Sequence, residues 1–546
     1  MIRREVIVIL LLLFLSLPTI QDLLFPGPFT SHDLTHHIVR QIDMNRLLSE
    51  GQFPPRWSGE LNNGYGYPLF LFNYPLPALV GQLFHLLGLG YIDSVKAILG
   101  LSLLGSSVTM YLFLRSLLGN RTAAFLGAIF YLYAPVRFLN VYVSAALGNA
   151  LALLFVPLVF LSVNKLAKTG KKLWIMGGAI SFAALVTSHN VTTVMFAPVI
   201  AGFSLVALYL NNPRFMKQIL VMFLLGLGLS AWFWLPSLVE KQYIRYDQYM
   251  DNFFASRFVP FKDILYSTWG YGSDFSRQVG IAHWLVMVGL VISSTYLLVK
   301  GGIKVKEWVT LGTFCLTVFI GAVFLMTEYS RVFWGSVPLL EYVQFPARFL
   351  TPAVFAASIA VALLVKHLPF RSILLVGLLG LVLYASRNNM SINQSVEYRD
   401  DYYQTLKYTS TAYDEHLPNW ARPMMVLSPG KFSVLQGKGV VHIDKNYSSE
   451  VKATFITDEE TTLQFNQFYF PGWEIKVDDK KVNFDYLLEG ESKGFPVFKV
   501  PQGMHQIEAV FNKTFIRSLA DNISLFSAVI MGVFFSSVIY KKRVLR

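Results

Sequence analysis

Residues 1–20 read MIRREVIVILLLLFLSLPTI. Two arginines precede an almost unbroken apolar run. No small-x-small cleavage pattern follows in QDLLFPGPF, so residues 6–20 are expected to remain as a first transmembrane helix that enters from the cytoplasm. The same texture recurs along the chain. Of 546 residues, 54% are hydrophobic and only 14% charged, against about 25% charged in soluble domains. A chain of this kind hides its apolar surface in lipid.

About twelve spans can be drawn, at 6–20, 93–114, 122–136, 147–163, 173–188, 191–210, 216–236, 281–299, 307–326, 347–365, 371–386 and 522–540. With Met1 inside, the inner connections read LRSLLGNR, KLAKTGKK, NNPRFMK, KGGIKVKE, KHLPFR and the tail KKRVLR. Each carries Lys or Arg, and the only acid among them is Glu307. The long loops 21–92, 237–280, 327–346 and 387–521 fall on the other side and hold nearly all the acids. Both patterns place the two termini in the cytoplasm of a multi-pass plasma-membrane protein. The net charge of +13 belongs to this topology signal, not to a nucleic-acid stripe. Cys315 is the single cysteine, so neither an intramolecular disulfide nor a paired-cysteine zinc site is available.

The fold class expected is therefore mainly α: a transmembrane domain over 1–386, with its large first outer loop at 21–92. A small extracytoplasmic β domain over 387–521 and a final helix with a basic tail over 522–546 complete it. Alternating segments such as FNQFYFPGWEIKVDDKKVNF read as strands of a sandwich, with VDDKKV and VPQGMH as turns. The outer face collects Arg137, His189, Asn190, Glu240, Lys241, Arg245, Asp247, Glu341 and Arg348.

One outer stretch is dense in ionisable groups: SHDLTHHIVRQIDMNRLL, residues 31–48. Leu34, Ile38, Ile42 and Leu47 are spaced as on a helix, which sets Asp33 within a turn of His36 and His37. Asp33 then reads as a general base, or as a ligand with His36 and His37 for a divalent ion such as Mg or Mn, or as the cap of the helix, and His36 and His37 are also candidates to bind the phosphate of a substrate. The segment QFPPRWSGELNNGYGYPLFLFNYPL follows, and Tyr65 and Tyr67 are candidates to hold a sugar ring. Glu240 with Lys241, and Arg245 with Asp247, read as ion pairs at the interface, although Glu240 and Arg245 are also candidates for substrate contact.

The order PPRW, GYGYPLFLFNYPL, SHN, WFWLPSLVEK, WGYG, QFPARFL, EHLPNW, FYFPGW and VPQGMH is similar to the polytopic family labelled "6-pyruvoyl-tetrahydropterin synthase-related", and to YfhO-like membrane proteins. Both resemble glycosyltransferases of the GT-C fold class. The resemblance implies transfer of a sugar from a polyprenyl-phosphate-linked donor to an envelope glycan, lipid or protein acceptor. It places the base on Asp33 and a histidine-asparagine pair on His189 and Asn190. From charge and position we add Arg348, Arg245 and His189 as groups that hold the lipid phosphate. Topology points the same way, because nucleotide sugars are absent outside the cell. Ser144 and Asn149 stand where relatives often carry Arg and Glu. That departure keeps open a non-catalytic scaffold that binds glycan or membrane lipid. A transporter is the third alternative, but mid-span charges are almost lacking.

Overall fold

A computed structural model describes residues 2–299, 306–368, 371–408 and 414–544. The parts of the basic inner connections at 300–305 and 369–370, and the tail end at 545–546, lie outside the described residues. Each of the twelve expected crossings meets a helix or a bent helix pair. Among the described residues, eight helices are long and apolar enough to cross a membrane, and ten if each bent pair is one span. Lys172–Ser188 and Ser372–Ser386 are shorter apolar helices.

Two expected straight spans are broken. Arg121–Leu132 and Pro135–Val143 meet at 49°, where Pro135 cannot continue the hydrogen-bond ladder. Pro213–Leu229 and Ala231–Tyr243 meet at 70°, after the helix-weakening Gly226 and Gly228. The last helix also starts earlier than expected, at Phe515.

The bundle core is aromatic. The Phe355 ring lies 4.6 Å from Phe160, 5.6 Å from Phe196 and 6.0 Å from both Phe113 and Tyr131. The Leu350–His367 helix offers Ala353, Ala356, Ala357, Ala360 and Ala362 to its neighbours. Small residues let helices approach closely in lipid, and a methyl group on Gly127 would stand 2.7 Å from the Ser358 carbonyl. Leu10, Leu224, Leu298 and Ile320 are exposed on the outside, as lipid contact requires. The basic connections gather at one end: Glu5 accepts from Arg115 (3.1 Å) and Arg121 (2.7 Å), and Glu307 accepts from Lys366 (2.5 Å) and His367 (3.1 Å).

At the other end, eight strands form two antiparallel sheets. Strands are numbered β1 (Phe432–Gln436), β2 (Val440–Tyr447), β3 (Glu450–Thr457), β4 (Thr461–Phe465), β5 (Trp473–Val477), β6 (Lys480–Lys481), β7 (Val497–Val500) and β8 (Gly503–Phe511). The sheet orders are β1-β4-β7 and β2-β3-β8-β5-β6. Asp478 and Asp479 both take positive φ, which gives the tight turn that VDDKKV predicts. Leu463, Phe465, Phe498 and Val500 of one sheet share a core with Phe455, Ile475 and Ile507 of the other.

That core is not separate from the rest of the chain, as the expected boundary at residue 387 implied. Met44, Leu47, Trp57 and Phe70 of the first loop belong to it. The Trp57 ring lies 5.4 Å from Trp473 and 5.1 Å from Phe511, and its N–H donates to Gln467 Oε1 (3.0 Å). The β domain is completed by a segment nearly four hundred residues upstream of it, which periodicity within either segment cannot show.

The pairing of Glu240 also differs from expectation. Glu240 accepts from Arg517 Nε (3.0 Å), Arg517 Nη2 (2.9 Å) and the Thr514 hydroxyl (2.7 Å). Arg517 donates further to the Asn512 carbonyl and lies over the Phe511 ring at 4.5 Å. Lys241 pairs with Asp247 instead (3.2 Å), so Asp247 is not the partner of Arg245. Both members of the Glu240–Arg517 pair are buried. Removing one member strands a charge away from water, at a cost of about 3–5 kcal/mol. Thermal unfolding in detergent should show Glu240→Ala and Arg517→Ala strongly destabilised. Glu240→Leu combined with Arg517→Met should recover much of the loss, and a double variant no better than the singles would refute this account.

Candidate functional site

The break after Tyr133 builds the floor of the site. Residues Leu139–Val143 form a wide helical turn that leaves carbonyls free of helical partners. His32 N–H donates to the Val143 carbonyl (3.1 Å) and Asp33 N–H to the Ser144 carbonyl (3.0 Å). The helix Leu34–Ser49 starts directly from this anchor. Asp33 occupies the N-cap position, yet its carboxylate makes no capping bond. The Ser31 hydroxyl instead accepts from Leu34 N–H (3.2 Å). The carboxylate is thus left at the positive end of a helix, half-buried and available.

Four other segments bring side chains to it. Arg348, at the start of the buried Pro346–His367 span, interacts electrostatically with Asp33, Tyr74 and Tyr246. Its Nη1 donates to the Val343 carbonyl (2.9 Å) and Gln344 Oε1 (3.0 Å), which orients the guanidinium. Tyr74 hydrogen-bonds Arg40 and lies near Asp33, and burial pushes its phenol up. Tyr74 sits this deep because Gly148 has no side chain: a methyl there would stand 2.2 Å from the tyrosine ring.

His189 joins the apolar helices Lys172–Ser188 and Asn190–Leu210, and its ring meets Tyr74 edge-on at 5.0 Å. His189 Nδ1 accepts from Thr192 N–H (3.1 Å), which leaves the proton of the neutral ring on Nε2. Burial, and then Arg348, hold His189 well below the ordinary histidine value. Burial, with Arg40, His36 and His189 as further causes, does the same to His37. His36 is lowered by burial and Arg40, while Asp33 and Glu415 oppose. Arg40, Arg348 and Asp33 thus lie together among neutral imidazoles.

The wall comes from residues 414–421, just before the β domain. Arg245 donates to the Ala421 carbonyl, and its N–H to the Leu417 carbonyl (3.0 Å). This places Arg245 as a holder of that segment, not beside Arg348. Glu415 interacts with His36 and Tyr246. His416 stacks on Tyr246 (6.3 Å) and Phe72 (5.9 Å), and burial drives it down to about 4.

Of the residues expected from sequence, Asp33, His36, His37, His189 and Arg348 converge. Asn190 is exposed and accepts from Val191 N–H beside it (3.0 Å). Tyr65 and Tyr67 are only 4% and 1% exposed. Tyr65 packs on Phe495 (5.3 Å) and Phe468 (6.1 Å), so neither ring presents a face to a sugar. Glu240 is sequestered by Arg517. Arg137, expected near the lipid surface, is buried against Ser106 (2.5 Å) and the Tyr131 ring (5.1 Å).

Among the described residues, no three His, Cys, Asp or Glu side chains form a metal-holding group. Asp33, His36 and His37 therefore do not fit a divalent ion as a set. Successive positions on a helix diverge, and His37 turns inward toward His189. Asn149, one of the two departures, accepts from the Thr192 hydroxyl (3.2 Å) that lies 2.8 Å from His189. Ser144 supplies only its carbonyl.

Sequence reasoning missed Arg40, Tyr74, Tyr246, Glu415 and His416. Arg40 had a signal, since it lies one turn beyond His36 on the same helix. Tyr74 lies in GYGYPLFLFNYPL and Glu415 and His416 in EHLPNW, stretches that carry the family resemblance, but nothing in those stretches pointed to Asp33; Tyr246 had no signal.

The family described as "6-pyruvoyl-tetrahydropterin synthase related domain; membrane protein" matches residues 71–395, and the chain belongs to it. The matched region contains Tyr74, His189 and Arg348 but not Asp33 or Arg40. No curated protein matches. Among solved structures, the chain is similar to the arabinofuranosyltransferase AftD from Mycobacteria (15% identity, TM-score 0.46), with 73% of this chain covering 28% of that one. It is similar to ArnT from Cupriavidus metallidurans bound to undecaprenyl phosphate (14%, TM-score 0.33; 68% and 61%). It is also similar to the apo oligosaccharyltransferase of Archaeoglobus fulgidus (12%, TM-score 0.40; 77% and 61%). The chain thus spans less than two thirds of each of these proteins.

His37, His189 and His416 are neutral when folded and take up protons readily when unfolded. Stability is therefore full above the ordinary histidine value and falls as pH drops below about 6.5. For His416, held at about 4, the cost is about 2 kcal/mol by pH 5. Thermal unfolding from pH 7.5 to 5 should show this decline, and His416→Phe, which keeps the stack, should flatten it.

Proposed function

We propose that this chain is a membrane glycosyltransferase, acting on a polyprenyl-phosphate-linked sugar at the extracytoplasmic face. The observation that carries the proposal is the meeting of one carboxylate that makes no capping bond, Asp33, with the Arg40–Tyr74 pair and with Arg348 at the end of an apolar span. A lipid-phosphate sugar has the matching chemistry. Its tail stays in the bilayer, its phosphate needs cations at the bilayer edge, and its sugar lies beyond them.

In this reaction Asp33 removes the proton from an acceptor hydroxyl. The oxygen attacks the anomeric carbon from the face opposite the phosphate. The bond from carbon to phosphate oxygen breaks, and the anomeric configuration inverts. Base help of this kind is worth about 10²–10⁴-fold. The leaving phosphate gains charge, and Arg348, Arg40 and the His189 Nε2–H are the donors available to it. The depressed basicity of His189 suits this role, because a neutral imidazole donates one hydrogen bond without adding charge.

The acceptor class is an envelope glycan, glycolipid or protein. With membranes or purified protein and a panel of polyprenyl-phosphate-linked sugars, the wild type should transfer sugar. Asp33→Asn should lose at least about 100-fold with unchanged unfolding temperature. Arg348→Gln and Arg40→Gln should raise the donor KM. Transfer unchanged in Asp33→Asn would remove that residue as base. No transfer from any donor would favour a non-catalytic glycan- or lipid-binding scaffold.

A further inference from the structure

The buried rings of Tyr65 and Tyr67 leave open what holds a sugar beside Asp33. A different set of tyrosines stands at that place. The stretch EYRDDYYQTLKY, residues 397–408, crosses the outer surface between the last bundle helices and the β domain. Tyr398 and Tyr402 stack face to face, with ring centres 4.1 Å apart and planes 13° from parallel. They remain 47% and 41% exposed. Tyr403 meets Tyr402 edge-on at 5.2 Å and is itself buried.

The segment is held rigidly from both sides. Tyr403 hydrogen-bonds Thr35, two residues beyond Asp33. The Asp400 carboxylate accepts from Tyr91 N–H (2.6 Å) and Ile92 N–H (3.0 Å), so it caps the Tyr91–Leu118 helix. Tyr408 continues the row, and its ring meets His36 edge-on at 6.4 Å. His36 in turn faces Asp33. The aromatic row therefore runs from open surface to the candidate base.

Exposed tyrosines also occur in the aromatic belts of membrane proteins. Here Glu397, Arg399 and Asp401 alternate with the rings and are exposed as well. Acidic groups beside anionic lipid head groups are repelled, so this strip does not suit insertion. Flat rigid rings edged by carboxylates and a guanidinium suit a sugar: the rings cover its C–H faces and the charged groups bond its hydroxyls. Tyrosine also offers a large contact area at low entropic cost.

We propose that Tyr398, Tyr402 and Tyr408 form a saccharide-binding shelf that holds the acceptor glycan with its reacting hydroxyl toward Asp33. The acceptor is then a glycan of at least two or three residues, not an isolated hydroxyl compound. The assignment of the bound saccharide as acceptor rests on the transferase reading above, whereas saccharide binding itself does not.

The test uses the full chain in detergent micelles and saturation-transfer NMR with soluble oligosaccharides of mannose, glucose, galactose and arabinose. At least one should bind the wild type. Tyr398→Ala and Tyr402→Ala should each weaken that binding about tenfold, the usual effect of truncating a central aromatic contact. Tyr402→Leu, which keeps apolar bulk and loses the flat face, should weaken it similarly. Failure of every saccharide to bind would overturn the shelf, as would equal binding by the tyrosine variants. The two proposals fail separately. Tyrosine-dependent binding with no transfer from any donor removes the transferase and keeps the shelf. Transfer with an acceptor KM unmoved in Tyr398→Ala and Tyr402→Ala removes the shelf and keeps the transferase.

Discussion

The buried Glu240–Arg517 pair ties together three parts of the chain that sequence holds far apart. Glu240 ends the bent seventh span, Arg517 opens the last helix, and the Arg517 guanidinium rests on Phe511 at the end of β8. A buried ion pair is not a strong source of net stability, because both ions give up hydration. Its effect is on geometry. With one partner only, each charge is costly, so the last helix has one position against the bundle. The β domain is thereby set over the first loop, and Trp57 enters its core. Arg56 adds a second tie to the last helix through Asp521 (2.5 Å). The helix Leu34–Ser49, which contributes Met44 and Leu47 to the same core, is consequently pinned at one side by the β domain.

Its other side is pinned by a defect in the bundle. The chain leaves helical geometry after Val143, where Ala145 takes positive φ, so the Val143 and Ser144 carbonyls lack helical partners and accept the N–H groups of His32 and Asp33. A helix break thus becomes the seat of the proposed base. The same logic explains why the ionisable cluster lies where it does. Charged groups at mid-bilayer are expensive, while the ends of helices supply dipoles, free backbone groups and access to water. Arg348, His189 and Asp33 all stand at such ends.

The departures at Ser144 and Asn149 have a structural context. Ser144 acts through its backbone, so its side chain leaves the Asp33 anchor unaffected. Asn149 reaches His189 through Thr192 and so bears on the leaving-group side of the proposed reaction, not on the base. The face proposed to meet the acceptor is instead built from residues 397–408 and 414–421, which supply Glu415, His416 and the exposed tyrosines.

Sequence by itself determined the spans, their basic connections and the strands of the sandwich, since these follow from local periodicity, proline and charge. It also determined part of the site, because Asp33, His36 and His37 share one helix turn and polar residues at span ends face one side. Tertiary structure alone decided which of them meet. The expected Glu240–Lys241 and Arg245–Asp247 pairs are neighbours in sequence, but desolvation rewards the best-buried partner, and that partner for Glu240 lies 277 positions away. Tyr65 and Tyr67 look like a sugar platform in a loop, and only the arrival of Phe468 and Phe495 turns Tyr65 into core. Arg40, Tyr74, Glu415 and the tyrosine row acquire meaning only by convergence on Asp33. Local pattern records the period of each segment, whereas a site is made of contacts between segments, and those are set by packing.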